Sequence, residues 1–303
     1  MIYVVGSLNM DLTAAISRMP KAGETLAADS FLFSAGGKGA NQAAAAQKLG
    51  GGVAMIGKVG NDAFGAELKD NLSKYGVRTD CVKTADCPTG LAMITVCRGN
   101  NRILLYGGAN QTLTNADIDE GLKNAKAGDV LMAQLEVPLE VTEYALKVAS
   151  HKGMITILNP APAVPLSSSM IELCELIVPN ETETEILTGV MPDCEVNVAL
   201  AVQKLQQMGA RNIIITLGSK GSAVAVGKEI TLIPAKKVKV VDTTAAGDTF
   251  VGAVAVRLTM GDDIVSAAQF ATCASAVKIT RRGATSAIPS TREVEDAIKK
   301  GLL

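Results

Sequence analysis

Val130-Leu131-Met132, then Leu139 to Ser150, then Ile155-Thr156-Ile157-Leu158: a short apolar run, a segment of helical period and a second apolar run follow one another. Two parallel strands can be joined only by a crossover long enough to hold a helix, so this order reads as a βαβ unit. The pattern extends in both directions. Tyr3-Val4-Val5, Val53-Ala54-Met55-Ile56, Leu176-Ile177-Val178 and Ile213-Ile214-Ile215-Thr216 are further β-branched runs, and Asn41 to Leu49, Ala63 to Tyr75 and Val198 to Met208 are further helical segments. Uninterrupted apolar strands are those buried on both faces, which predicts a doubly wound α/β sheet. After Val238 the pattern changes to small-residue helices, Gly247 to Leu258 and Ile264 to Ile279, and ends in an amphipathic helix from Arg292 to Lys300.

Two stretches do not fit the alternation, residues 12 to 34 and 89 to 108. In the second, Leu91 to Cys97 and Ile103 to Tyr106 flank Arg98-Gly99-Asn100-Asn101, which reads as a hairpin. Strands from distant parts of the chain that belong to no βαβ unit are expected to pair with each other, as a flap over the sheet edge that could serve as a lid.

The 303 residues carry 29 basic and 30 acidic groups, and only 3% are aromatic. That balance offers neither a basic stripe for phosphodiesters nor rings on which bases could stack, so nucleic acid is not an expected partner. No apolar run reaches the length of a bilayer span and no basic leader precedes the first strand, so we expect a cytoplasmic protein with no membrane partner. Six cysteines are scattered without a C-x-x-C pair and His151 is the sole histidine, leaving no ligand set for zinc and little basis for Ser-His or Cys-His chemistry.

Three constellations carry chemistry. Asp242-Thr243-Thr244-Ala245-Ala246-Gly247-Asp248-Thr249-Phe250 reads as a small-residue turn that ends a strand and opens a helix. Free amides at Ala245, Ala246 and Gly247 would form an anion hole reinforced by the helix dipole. Asp248, beside it, could accept a proton from an attacking hydroxyl, or could simply be an acidic residue in a first helical turn. Gly36-Gly37-Lys38-Gly39-Ala40-Asn41 is a second glycine turn leading into a helix; it matches neither the Walker A nor the dinucleotide fingerprint. Asn180-Glu181-Thr182-Glu183 follows a strand, where acidic groups could reach a hydrated Mg²⁺ or serve as a helix N-cap and its first-turn acids. Gly6-Ser7-Leu8-Asn9-Met10-Asp11, Gln134-Leu135-Glu136 and Thr216-Leu217-Gly218-Ser219-Lys220-Gly221 also lie at strand exits. Polyol-binding groups, a possible metal site and an anion hole on one sheet edge are what a phosphotransferase requires.

With Leu158-Asn159-Pro160-Ala161-Pro162, these ordered stretches resemble the ribokinase group of the PfkB carbohydrate kinase family over essentially the whole chain. The resemblance implies one three-layer α/β/α domain spanning 1–303 with a β-sheet lid, and a homodimer packed through the lids. It implies an ATP-dependent transfer to the 5-hydroxyl of D-ribose, with Asn9, Asp11, Gly37, Lys38, Asn41 and Glu136 holding the sugar and Asp248 as base. Asn180, Thr216, Leu217, Gly218, Ser219, Lys220, Gly221, Gly247, Asp248 and Thr272 would line the ATP site, and Glu183 would support Mg²⁺ through water. A monovalent cation, preferentially K⁺, would be bound mostly by carbonyls of Asp242, Thr244, Lys278, Arg281, Gly283 and Ala287; the family often has Ser at the last of these, and many relatives have Gly at Ala245. The rivals are a 2-deoxyribose or nucleoside kinase of the same fold, for which Met10 could matter if it faced the pocket, and a sugar sensor without catalysis.

Overall fold

The alternation within Ile2-Tyr3-Val4-Val5 divides the protein into its layers: Ile2 and Val4 enter one apolar cluster, Tyr3 and Val5 another on the opposite face. The computed structural model describes residues 1–98 and 100–302. Among them the strands are, in chain order, β1 (Ile2–Val5), β2 (Asn9–Ile16), β3 (Ser30–Gly36), β4 (Val53–Gly60), β5 (Arg78–Ala85), β6 (Gly90–Cys97), β7 (Asn100–Tyr106), β8 (Val130–Ala133), β9 (Ile155–Leu158), β10 (Leu176–Ile177), β11 (Asn212–Thr216), β12 (Ser222–Val226) and β13 (Glu229–Ile233). The α-helices are α1 (Lys38–Lys48), α2 (Ala63–Lys74), α3 (Asn115–Gly121), α4 (Leu139–His151), α5 (Ser168–Glu172), α6 (Glu181–Thr188), α7 (Glu195–Gln207), α8 (Ala246–Thr259), α9 (Ile264–Ile279) and α10 (Thr291–Lys299).

Nine strands form the central sheet in the order β13-β12-β11-β10-β9-β8-β1-β4-β5. All neighbours are parallel except β11 with β12 and β12 with β13, so the sheet is α/β with an antiparallel edge. One face packs on α1, α8 and α9 through Ala43, Ala44, Val254 and Ala271. The other packs on α3, α4 and α7 through Ile118, Leu146, Val198 and Leu205. The small residues of α1 and α8 let these helices approach closely: a Cβ on Gly252 would stand 2.7 Å from the Ala45 Cβ and 2.9 Å from the Ala46 amide nitrogen. One turn N-terminal of this contact lie Asn41 and Gln42 on α1 and Asp248 on α8, so close packing of the helices sets the spacing of their polar ends.

Four strands form a separate sheet in the order β3-β2-β6-β7. β2 pairs antiparallel with β3 and parallel with β6, and β6 pairs antiparallel with β7. The expected pairing of strands distant in sequence is therefore present, with Cys97 opposite Asn100; Gly99 of the expected hairpin turn lies outside the described residues. No helix among the described residues is long and apolar enough to cross a membrane.

One expectation fails. No strand precedes the turn at Asp242, because β13 ends at Ile233 and Pro234 has no amide proton with which to continue a ladder. The amides of Val241 and Asp242 bond instead to the Ile279 carbonyl at the C-terminal end of α9, at 2.8 and 3.2 Å.

Candidate active site

Asn9 and Asp11 do not lie in a turn past β1, where turn chemistry would put them, but on β2, because the chain crosses directly from the large sheet into the small one. Gly37 makes room for this crossing. Its φ is 92°, a left-handed conformation, and a Cβ there would stand 2.7 Å from the Asn9 amide nitrogen. The amide of Lys38 donates to Glu136 Oε2 at 3.2 Å, the Ser7 hydroxyl donates to the same oxygen at 2.5 Å, and Asn9 Nδ2 donates to it at 3.3 Å. Glu136 thus ties the end of β8 to the start of α1 and to the crossing between the sheets. Met10, between Asn9 and Asp11, is fully buried in the core rather than facing these groups.

Asp248 is buried in the first turn of α8. Its Oδ2 accepts from Asn41 Nδ2 at 3.1 Å and its Oδ1 from Gln42 Nε2 at 3.2 Å. Gln42 also donates to Asn159 Oδ1 at 3.0 Å and accepts from Gln134 Nε2 at 2.6 Å. Burial pushes the Asp248 carboxyl above its usual range, opposed by Lys38 and by the Gln42 and Asn41 bonds. Asp11 is pushed up to about 7, by burial and then by the nearby Glu136 and Asp248 carboxylates. Three carboxyls and the Lys38 cation therefore surround one polar space, where two of the carboxyls gain protons more readily than usual.

The turn before α8 has Ala245 in the left-handed region at φ 57° and ψ 19°, with Ala246 and Gly247 opening the helix. Thr243, Thr244 and Gly247 are exposed, so the helix start faces solvent. The Asp242 carboxylate braces this turn, accepting from the Thr244 amide at 2.9 Å and the Gly283 amide at 2.8 Å. Burial raises its pKa, but these bonds outweigh that effect and the net shift is downward. Lys278, fully buried in the last turn of α9, donates from Nζ to the Asp242 carbonyl at 2.9 Å. Burial lowers its pKa, while Asp242 and Asp248 oppose the shift. Ser275 Oγ donates to the Ala246 carbonyl at 3.0 Å, a second tie from α9 to the turn. Arg281 is directed elsewhere, pairing with Glu293 at 2.7 Å, and Ala287 is buried in a short 3₁₀ turn with no side-chain oxygen.

Along the same edge, Asn180 and Glu183 form a reciprocal capping box at the start of α6: Glu183 N donates to Asn180 Oδ1, and Asn180 N and Nδ2 donate to the Glu183 carboxylate, each at 2.8 Å. Glu183 is buried, which raises its pKa against the lowering effect of the Asn180 amide. An isolated bridge joins Asn180 to Thr216. Leu217, Gly218, Ser219, Lys220 and Gly221 then turn the chain from β11 into β12, with Lys220 Nζ donating to the Asp193 carbonyl at 2.7 Å. Thr272 lies on α9 and its hydroxyl is bonded to the Ala268 carbonyl of its own helix at 2.9 Å.

Two further side chains join the site, Gln42 and Asn110. Gln42 was detectable as a second amide beside Asn41 ahead of the alanine run of α1. Asn110 carried no such signal: it lies in a 3₁₀ turn after β7, donates to Asn9 Oδ1 at 2.7 Å, and holds both the amide and the carbonyl of Leu8.

A family model described as pfkB family carbohydrate kinase matches residues 1–291. The chain is 43% identical to the ribokinase of Schizosaccharomyces pombe, over 97% of this chain and 96% of that protein. It is 39% identical to the deoxyribokinase of Salmonella typhi, over 97% of each. Among solved structures, Arabidopsis thaliana ribokinase complexed with ribose and ATP is similar with a TM-score of 0.91 at 33% identity, covering 98% of both chains. With a matching family model over nearly its whole length and relatives of this identity over nearly all of both chains, the protein belongs to the pfkB family of carbohydrate kinases.

Proposed function

We propose that the protein transfers the γ-phosphoryl group of ATP to the 5-hydroxyl of D-ribose, giving ribose 5-phosphate and ADP. The observation that carries this reading is a buried carboxylate, Asp248, held by two side-chain amides in the first turn of a helix whose start is exposed. Asp248 takes the proton of the attacking hydroxyl, and its raised pKa brings it nearer to working pH, where a general base is most effective. The amides of Ala245, Gly247 and Asp248 receive the negative charge of the transferring group; that of Ala246, expected to be free, is instead bonded to the Thr243 carbonyl at 3.1 Å. Asn9, Asp11, Gly37, Lys38, Asn41 and Glu136 hold the sugar. Asn41 Oδ1 is buried and has no hydrogen-bond partner among the described residues, so a sugar hydroxyl would satisfy it. Asn180, Thr216 to Gly221, Gly247 and Thr272 would line the nucleotide, with Thr272 contributing surface because its hydroxyl is already engaged. The small sheet would close over the sugar and exclude water.

Magnesium, when bound with the nucleotide, would offset phosphate charge. Among the described residues no three His, Cys, Asp or Glu side chains are grouped to hold a metal ion. Glu183, with both oxygens already in the capping box, fits contact through water rather than direct ligation. The monovalent cation implied by the resemblance fits poorly. The Lys278 ammonium already occupies the Asp242 carbonyl, and a second unit charge about 4 Å away would be repelled by about 4 kcal/mol at an effective dielectric of 20.

2-Deoxyribose is the alternative acceptor favoured by one of the relatives. The burial of Met10 counts against that reading, since its side chain does not reach the polar space. A second copy of the chain is the proposed occupant of the small sheet, where Phe31, Leu32, Phe33, Ile103, Leu104, Leu105 and Tyr106 are exposed. ADP release measured with ribose, 2-deoxyribose or adenosine tests the function. We expect ribose to be preferred and Asp248→Asn to bind ribose but phosphorylate it roughly 10²–10⁴-fold more slowly. Preference for another acceptor, or near-normal turnover by the variant, would overturn the assignment.

A further inference from the structure

A fully buried lysine calls for a reason, because an ammonium loses its hydration and is retained only where something inside the protein uses the charge. Lys278 lies at the C-terminal end of α9, where the helix dipole favours a cation, and its Nζ is 2.9 Å from the Asp242 carbonyl. That carbonyl opens the turn whose amides start α8. The same residue's carboxylate is anchored to Thr244 and Gly283, so backbone and side chain of Asp242 join three segments at one point. Among the described residues no carboxylate lies within ion-pair distance of Lys278. Its charge is thus directed at a carbonyl dipole and the adjoining turn, with the Asp242 and Asp248 carboxylates acting on it only from a distance.

We infer that the ammonium of Lys278 is a tethered monovalent cation that orders the Asp242–Gly247 turn for phosphoryl transfer, so that the enzyme works without a diffusible K⁺. This rests on the phosphotransfer reading above. A cation bound to the Asp242 carbonyl stiffens the peptide that leads into the anion hole and adds positive potential where the transferring group gains charge. A covalently attached one does so at every salt composition, because its local concentration does not depend on the buffer. Ala287, which lacks a side-chain oxygen, fits a place where no free ion needs a full shell of donors.

The test is sugar-dependent ADP release by the full chain with ATP·Mg²⁺ and ribose, in K⁺, Na⁺ or tetramethylammonium chloride at equal ionic strength. The wild-type rate is expected to vary by less than about twofold among the three. Lys278→Met, which keeps most of the side chain's reach, leaves the ammonium's place open and removes the charge, is expected to lose at least about tenfold in tetramethylammonium and to regain activity on addition of K⁺ or NH₄⁺. Stimulation of the wild type several-fold by K⁺ would overturn the inference while leaving the phosphotransfer reading intact. Absence of sugar-dependent ADP release in every salt would overturn that reading and the inference with it. The wild-type comparison decides the question even if the variant does not fold, and a folded variant that is slow in every salt would also count against a tethered cation.

Discussion

Gln42 Nε2 stands 3.2 Å from Asp248 Oδ1 across 206 residues of sequence, and Gln42 Oε1 in turn accepts from Gln134. The buried carboxylate is therefore oriented by an amide that is itself oriented. Gln42→Leu removes one donor from Asp248 and leaves Gln134 unpaired. Hydrogen bonds to charged groups contribute about 1.5–3 kcal/mol, so kcat should fall by roughly 10- to 100-fold. The KM for sugar should change little, and the acid limb of the kcat profile should move to higher pH because the carboxylate loses a stabilising donor. Steady-state kinetics across pH checks all three, and a uniform loss with an unmoved limb would show that Gln42 only fills space.

Gly252 controls how closely α1 and α8 approach, and so where Asn41 and Gln42 meet Asp248. Gly252→Ala would place a methyl 2.7 Å from the Ala45 Cβ. Overpacking of this kind costs about 1–3 kcal/mol, despite the gain in helix propensity. Denaturant unfolding should show the loss, and kcat at saturating substrates should fall with it.

Asp11, pushed up to about 7, predicts a pH-dependent sugar affinity. Sugar hydroxyls donate to the ionised form, so kcat/KM for the sugar should rise between pH 6 and 8 and level off above. The linkage to stability has the opposite sign. The folded state holds this proton to higher pH than the unfolded chain does, so the contribution is full below the ordinary aspartate range and is lost as pH rises through about 7. Asp11→Asn should flatten the 6-to-8 slope while raising KM; a slope that survives would assign it to another group.

Leu104 and Phe33 are 68% and 53% exposed on the small sheet. If a second copy covers them, Leu104→Glu should convert dimer to monomer in sedimentation velocity with the central fold intact by circular dichroism. An unchanged species would remove this face from any self-association.

The parallel strands and their helices were legible because burial on both faces leaves uninterrupted β-branched runs such as Ile213-Ile214-Ile215. β5 was not: its side chains alternate between partly buried and exposed, as expected for the last strand of a sheet, and Arg78, Asp80 and Lys83 hide the pattern. The hairpin of β12 and β13 was obscured by small and polar residues, Ser222, Glu229 and Thr231 among them. Val238, Val240 and Val241 misled in the other direction, being β-branched around Lys239 with no neighbouring strand to pair with. In the site, glycine turns and Asp248 stood out locally, whereas Asn110 depends on a contact across 101 residues with Asn9. Lys278 was readable only as a source of a carbonyl; that its ammonium points back to Asp242 follows from tertiary packing.

The chain first passes from the central sheet to the small one through Gly6-Ser7-Leu8, and crosses again between β5 and β6; at the first crossing the very next residues include Asn9 and Asp11, both proposed to read the sugar. On the proposed reading, substrate choice and the placement of the small sheet would thereby be inherited together. A change that widens the pocket for a bulkier acceptor would also alter the connection on which the small sheet, if it closes over the sugar as proposed, would move. Adaptation of this scaffold toward new acceptors is accordingly easier from Glu136 or Asn110, which touch the crossing from outside, than from the crossing itself.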